Sequence, residues 1–208
     1  EVDVKVERFD TKFGQAKPQN LAQLKTDYPF MFSKRYTDEF WIERLNDTIQ
    51  IELNEETQKV FPDLKNEEAE ITLFYKHLKY NYPSTKIPRV ITATSSLDTY
   101  LGEKHFFYDG LQNYIKANMN REQMVVDLSN AYAEKLIFQP KRKTLLDEMI
   151  YYGKQLYFND VMIPFKSDAQ KIGYTEAQFD WAKVNEENVW KYFVERELLY
   201  STDAKLPN

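Results

Sequence analysis

The chain contains no cysteine. That absence excludes a thiolate nucleophile, a cysteine-ligated metal and a disulfide framework together. Histidine is nearly as scarce, with only His77 and His105. A zincin helix needs two histidines at i and i+4, with a glutamate beside the first, so that both imidazoles face one metal. Neither histidine has a partner at that spacing. The five glycines, Gly14, Gly102, Gly110, Gly153 and Gly173, are too scattered for a phosphate-cradling loop or a dinucleotide fingerprint, and no glycine-flanked serine elbow is present. No apolar run approaches the ~20 residues that a spanning helix needs. The charged, alternating start at Glu1-Val2-Asp3 carries no targeting pattern. Positive charge is also short: 28 Lys and Arg stand against 33 Asp and Glu, a net charge of -5. The one dense basic cluster is Lys141-Arg142-Lys143, which reads as a solvated helix start. Binding to a phosphate backbone is driven by clustered cations, so no nucleic-acid partner is expected. No cofactor is expected either.

What is abundant is apolar and aromatic. Hydrophobic residues make up 42% and aromatics 15%, mostly as 14 Phe and 15 Tyr, enough for a packed core in one domain over 1–208. Glu1 to Glu7 alternates charge with Val2, Val4 and Val6, the period-two pattern of a half-buried strand. Val90 to Thr94 is a second β-branched run. The sheet is therefore expected within 1–9 and 88–101. The remaining pattern is helical. A short helix runs from Gln19 to Tyr28 and stops at Pro29. Thr37-Asp38-Glu39 opens another, with Trp41, Ile42, Leu45, Ile49 and Leu53 at helical spacing and a break near Asn46-Asp47. Glu67 to Tyr80 carries Ile71, Phe74, Tyr75 and Leu78 on one face. Leu111 to Met119, Arg121 to Ile137 and Thr144 to Phe158 follow, the second with Met124, Val125, Leu128, Tyr132 and Leu136 as its stripe. Ser167 to Gln170 and Thr175 to Gln178 both match the capping box. The latter opens a long helix through Leu198. The fold class is α+β, mostly helical with a small β-sheet.

Candidate chemistry is sparse. His77 falls on a helix, where a structural role is expected. His105 follows Gly102-Glu103-Lys104 in a loop and is the better site candidate. Glu122 and Asp127 are five residues apart and do not share a helix face; Asp147-Glu148 opens a helix. Paired acids serve glycoside hydrolysis or hard cations, but acids on amphipathic helices read first as a solvated face. Tyr151-Tyr152-Gly153 and Trp190-Lys191-Tyr192-Phe193 carry more aromatic surface than one helix face buries, and Tyr and Trp give large contact area at low entropic cost. The candidate interaction or cleft residues are His105, Tyr108, Tyr151, Tyr152, Trp190 and Tyr192. No catalytic or metal residue is assigned.

Val90-Ile91-Thr92-Ala93-Thr94 meets Leu97-Asp98-Thr99-Tyr100-Leu101 across Ser95-Ser96 alone, without a residue suited to a two-residue hairpin. The segments "VKVERFD", "SLDTYLGEKHFFYDGLQNYIKANM", "LLDEMIYYGKQLYFNDVMIP", "KIGYTEAQFDWAKVNEENVWKYFVERELLYSTD" and "KLPN" resemble the gliding-motility lipoprotein GldB family of Bacteroidota over nearly the whole chain. The resemblance implies an extra segment between Ser95 and Ser96, a continuation beyond the last residue, and a signal peptide with a lipidated cysteine upstream. It also implies a cell-envelope protein required for gliding, anchored to the membrane by that lipid. At fold level the family is similar to zinc metallopeptidases, with Arg121 to Ile137 standing where the metal-binding helix would be. "REQMVVDLSNAYA" has no histidine, so the resemblance implies a zincin-like scaffold without its metal. Two functions follow as expectations. One is a non-catalytic scaffold contacting other envelope proteins of a motility, secretion or outer-membrane assembly. The other is an envelope hydrolase, peptidase- or glycan-acting, using carboxylates.

Overall fold

The computed structural model describes residues 2–94, 110–115, 120–139 and 144–202. These residues fall into two compact units, Glu1–Thr72 with Lys86–Arg121, and Leu73–Thr85 with Glu122–Asn208. The architecture is mostly helical with one two-stranded sheet. The Ser95–Ser96 junction lies outside the described residues.

In the first unit, β1 (Val6–Arg8) runs straight into α1 (Phe9–Gly14). A 3-10 turn at Pro18–Asn20 leads into α2 (Leu21–Asp27), which ends before Pro29, as a ring without an N–H requires. Next comes α3 (Asp38–Leu45), with Thr37 at its N-cap position. The chain breaks at Asn46-Asp47. There the Asp47 carboxylate accepts from the N–H groups of Ile49 (2.9 Å) and Gln50 (3.1 Å) and so starts α4 (Thr48–Val60). After α4 the chain enters α5 (Lys65–Asn81), whose first half belongs to this unit and whose second half belongs to the other. The return strand β2 (Val90–Thr92) pairs with β1 in parallel, in the register Val6↔Val90, Glu7↔Ile91 and Arg8↔Thr92. Parallel neighbours need a long crossover, and the intervening helices supply it. Phe9, Phe13, Leu21, Leu24, Tyr28, Phe32 and Ala93 form the core beneath the pair.

The strands are shorter than the alternation in 1–9 and 88–101 predicts. Val2 and Val4 lie outside β1, and Thr92 ends β2. Side chains of α5 bond the backbone of the valine run on both sides of the strand start. Val4 N–H donates to Thr72 Oγ1 (3.3 Å) and Val6 N–H to Glu68 Oε2 (2.9 Å). That second bond, with Lys5 Nζ at 3.2 Å from Oε1, holds the Glu68 carboxyl below its ordinary value near 4.5. A depressed carboxylate contributes stability that is complete above its ordinary pKa and is lost as pH falls through the lowered folded value. Glu68→Gln should therefore lower the Tm at neutral pH by about 2–4 °C, the equivalent of roughly 1 kcal/mol. The gap to wild type should close in acid, and a Tm difference that stays constant down to pH 3 would contradict the assignment.

In the second unit, α6 (Met124–Leu136) packs along α7 (Leu145–Met162), followed by α8 (Asp168–Ile172), α9 (Glu176–Glu195) and a 3-10 turn at Leu198–Tyr200. Both expected capping boxes form: Ser167 Oγ accepts from Gln170 N–H, and Thr175 Oγ1 from Gln178 N–H, each at 3.2 Å. A third, Thr144 with Asp147, starts α7. Gly173 closes α8 at φ 73°, the left-handed conformation that glycine adopts without steric cost. The face Phe74, Tyr75, Leu78 of α5 is fully buried as its spacing predicts. The face of α6 is rotated from the expected stripe. Val125, Val126, Ser129, Tyr132 and Ala133 are buried, while Leu136 is exposed. The shift is driven by a polar seam. Ser129 Oγ donates to Asn159 Oδ1 (2.6 Å), and Asn159 Nδ2 donates to Asn130 Oδ1 (2.7 Å), so these groups must face α7 to be satisfied.

Candidate functional site

Two features stand out, one in each unit. The first lies at the carboxyl ends of the parallel strands, where open α/β sheets place ligand groups. Asp10 follows β1 by two residues and has a fully buried side chain. Its carboxylate accepts from Arg8 Nε (2.9 Å) and Nη2 (2.7 Å), from Gln58 Nε2 (2.9 Å) and from the Thr92 hydroxyl. Arg8 Nη1 also donates to the Phe61 carbonyl at 3.0 Å. About two turns back along α4, Gln50 Nε2 donates to Thr94 Oγ1 (3.0 Å) and to Asn54 Oδ1 (3.2 Å), and the Thr94 hydroxyl bonds Asn54 Oδ1. A Cβ on Gly14 would stand 2.7 Å from Asn54 Nδ2, so the backbone of α1 approaches this cluster as only glycine permits.

This cluster rotates α4, leaving Leu53 half-buried. The apolar spacing expects Ile49 and Leu53 to face inward, yet Ile49 is 59% exposed and the buried residues are Gln50, Asn54 and Thr57. Burying amides is tolerable only because each finds a partner. The chemistry on offer is narrow. The single carboxylate is neutralised by Arg8, and the rest are amides and hydroxyls. Such a set positions the chain after β2 and has no free acid or base.

The second feature is aromatic. α9 is 20 residues long and buries none of them. Phe179, Ala182 and Phe193 are half-buried on one side. The opposite side shows Trp181 (63% exposed), Val184 (81%) and Tyr192 (42%) at spacings of three and eight residues, with Asn188 between them. Trp190 is 43% exposed, and its indole N–H donates to Glu186 Oε1 at 3.4 Å. On α7, Tyr152 is exposed, whereas Tyr151 is buried, its ring 5.6 Å from that of Tyr152. Tyr151 is thus a core residue, because its position on α7 turns it inward while the next residue points out. Of the candidate interaction residues, Tyr152, Trp190 and Tyr192 lie on the surface. His105 and Tyr108 lie outside the described residues. Trp181 and Val184 join that surface although neither is among the residues the sequence singles out, because the sequence does not show which face of the long helix stays uncovered.

Gly153, mid-helix on α7, has nothing within 4 Å of where a Cβ would be. Gly153→Ala should therefore stabilise the protein by about 0.5–1 kcal/mol, by reducing the freedom of the unfolded chain. Urea unfolding checks this, and a lower midpoint would show a contact that the open space does not suggest.

The remaining titratable candidates are engaged structurally. His77 Nδ1–H donates to the Met162 carbonyl at 2.9 Å. Glu122 accepts from Gln170 Nε2 (2.7 Å), and Glu148 accepts from Gln139 Nε2 (3.3 Å to each oxygen). Asp147 closes the α7 capping box. Tyr75 and Tyr132 bring their hydroxyls to 3.2 Å in the core, and burial pushes both phenols above their ordinary value. Among the described residues no group of three or more His, Cys, Asp or Glu is placed to hold a metal ion, and no helix is long and apolar enough to cross a membrane.

No curated protein and no solved structure matches the chain. The family described as gliding motility protein GldB matches residues 1–208, its full length. The long segments quoted above and this end-to-end match agree, and the chain belongs to the gliding motility protein GldB family.

Proposed function

We propose that this chain is a non-catalytic component of the bacterial cell envelope that supports gliding motility by binding other envelope proteins. It is held at the outer membrane by a lipid on an upstream cysteine, and it uses a zincin-like scaffold without metal chemistry. The observation that carries this reading is α9, a 20-residue helix with no buried residue and with Trp181, Val184 and Tyr192 facing water. A helix with apolar residues on opposite sides normally lies inside an assembly. Trp and Tyr are also the residues that dominate binding energy at interfaces. The partners are proteins of a motility, secretion or outer-membrane assembly complex.

The test is cell spreading on agar in a gliding strain that carries this chain. Trp181→Ala with Val184→Asp should abolish spreading at normal protein level and unchanged Tm. Glu122→Gln and Glu148→Gln should spread as wild type. Normal spreading of the α9 double variant removes the interaction reading. Loss of spreading in a stable Glu122→Gln or Glu148→Gln protein would instead favour a hydrolase that uses those carboxylates.

A further inference from the structure

α9 ends where its sequence would let it continue. Glu195-Arg196-Glu197-Leu198-Leu199-Tyr200 contains no Gly, Pro or Asn, and Arg, Glu and Leu are among the better helix formers. Yet Arg196 turns out of the helix at φ -95°, ψ 0°, and Glu197 adopts φ 55°, ψ 30°. Glu197 is the one non-glycine with positive φ among the described residues. In that conformation an L side chain crowds the following carbonyl oxygen. The position just past a helix C-cap is where glycine normally stands. This chain follows that rule at the end of α8, with Gly173, and breaks it at the end of α9.

Something must hold the strained turn in place. The Glu197 N–H donates to the Val194 carbonyl at 3.1 Å, and Ser201 N–H to the Leu198 carbonyl at 2.9 Å. The Ser201 carbonyl then accepts from the N–H of Leu145 at 3.1 Å. Leu145 is the first residue of α7, so its N–H is one of the donors that a helix cannot satisfy internally. Leu198 and Leu199 are half-buried, while Tyr200 is exposed. The hydrogen bond from Leu145 to Ser201 and the half-buried Leu198 and Leu199 therefore help to hold the broken form. It is opposed by a left-handed glutamate and by the helical hydrogen bonds forgone after Arg196.

We propose that Glu197 is a hinge between two forms of this segment. In the broken form the 198–200 turn docks against α7. In the straight form Glu197 returns to the right-handed region and α9 runs on through Tyr200. Straightening undocks Leu198 and Leu199, frees the Leu145 N–H and lengthens the exposed helix by about one turn. The segment thus switches what the C-terminal end of α9 and the N-terminal end of α7 present. The proposal stands on backbone geometry and does not depend on α9 being a binding surface.

The lack of cysteine makes the test clean. Asp180→Cys and Tyr200→Cys provide the two label sites within residues 1–208, and both replaced side chains are exposed. Twenty residues of continuous helix separate them by about 30 Å, and the broken form places them closer. Pulsed dipolar spectroscopy of the parent should show both distances. Glu197→Gly relieves the left-handed strain and weakens the helix, so it should leave only the short distance. Glu197→Ala keeps the strain and favours the helix, so it should raise the ratio of long to short by roughly two-fold. Hydrogen exchange at the Leu145 amide should speed up in Glu197→Ala and slow in Glu197→Gly. One distance common to all three proteins, short or long, overturns the hinge, and so does a ratio that ignores residue 197.

Discussion

Asp10→Ala is expected to lower the unfolding free energy by about 3–5 kcal/mol, the range for removing one partner of a buried charge pair. The Asp10 side chain is fully buried, and that of Arg8 is only 20% exposed. Without the carboxylate, the Arg8 guanidinium keeps, among the described residues, the Phe61 carbonyl as its acceptor, and Gln58 Nε2 keeps Thr11 Oγ1 at 2.8 Å. The Thr92 hydroxyl loses its bond to Asp10 as well. The damage therefore reaches both strands and α4. Urea unfolding measures it. The double variant Arg8→Ala with Asp10→Ala should cost less than the sum of the two single changes, because it leaves no uncompensated charge. Additive losses, or a loss below about 1 kcal/mol for Asp10→Ala, would mean that the cluster is looser than its distances imply.

Phe74→Ala should cost about 3–5 kcal/mol in the other unit, through lost burial and the cavity left behind. The Phe74 side chain is completely buried. Its ring centroid is 5.1 Å from that of Tyr75 and 5.4 Å from that of Tyr132, both in edge-on contact. Those two tyrosines share the 3.2 Å hydroxyl pair, so a hole beside them threatens a buried polar contact as well as packing. Phe74→Leu should lose clearly less than Phe74→Ala, because more of the volume is kept. Equal losses for the two would point to the ring contacts rather than to the cavity as the main contribution.

Several elements were legible because their signals are local. A capping box spans four residues and satisfies its own donors, so Ser167 and Thr175 mark helix starts whatever surrounds them. Pro29 stops α2 by removing an N–H. Asn46-Asp47 splits α3 from α4 because the Asp47 carboxylate caps the new helix. The stripe Ile71, Phe74, Tyr75, Leu78 is buried because an apolar face of period 3.6 can be hidden on one side only. His77 has no second histidine in reach along the helix, and its ring bonds the Met162 carbonyl. The family, too, was legible, since long segments of the chain carry it.

What the linear pattern could not decide was which face wins when polar and apolar positions compete. Ile49 and Leu53 outrank Gln50, Asn54 and Thr57 on hydropathy. The order reverses in the fold because Thr94, 40 or more residues away along the chain, bonds both Gln50 and Asn54, while the Thr57 hydroxyl donates to the Leu53 carbonyl. The end of α9 is similar. Its residues favour a continuing helix, and the acceptor that Ser201 offers to Leu145, with the half-buried Leu198 and Leu199, draws the chain back. Val4, in the valine run but outside β1, gives its N–H to Thr72 on α5. Composition, capping and period determined what the segments are. Hydrogen-bond partners distant in sequence decided which side of them is hidden and where they stop, because a buried donor must be satisfied by whatever the fold brings near it.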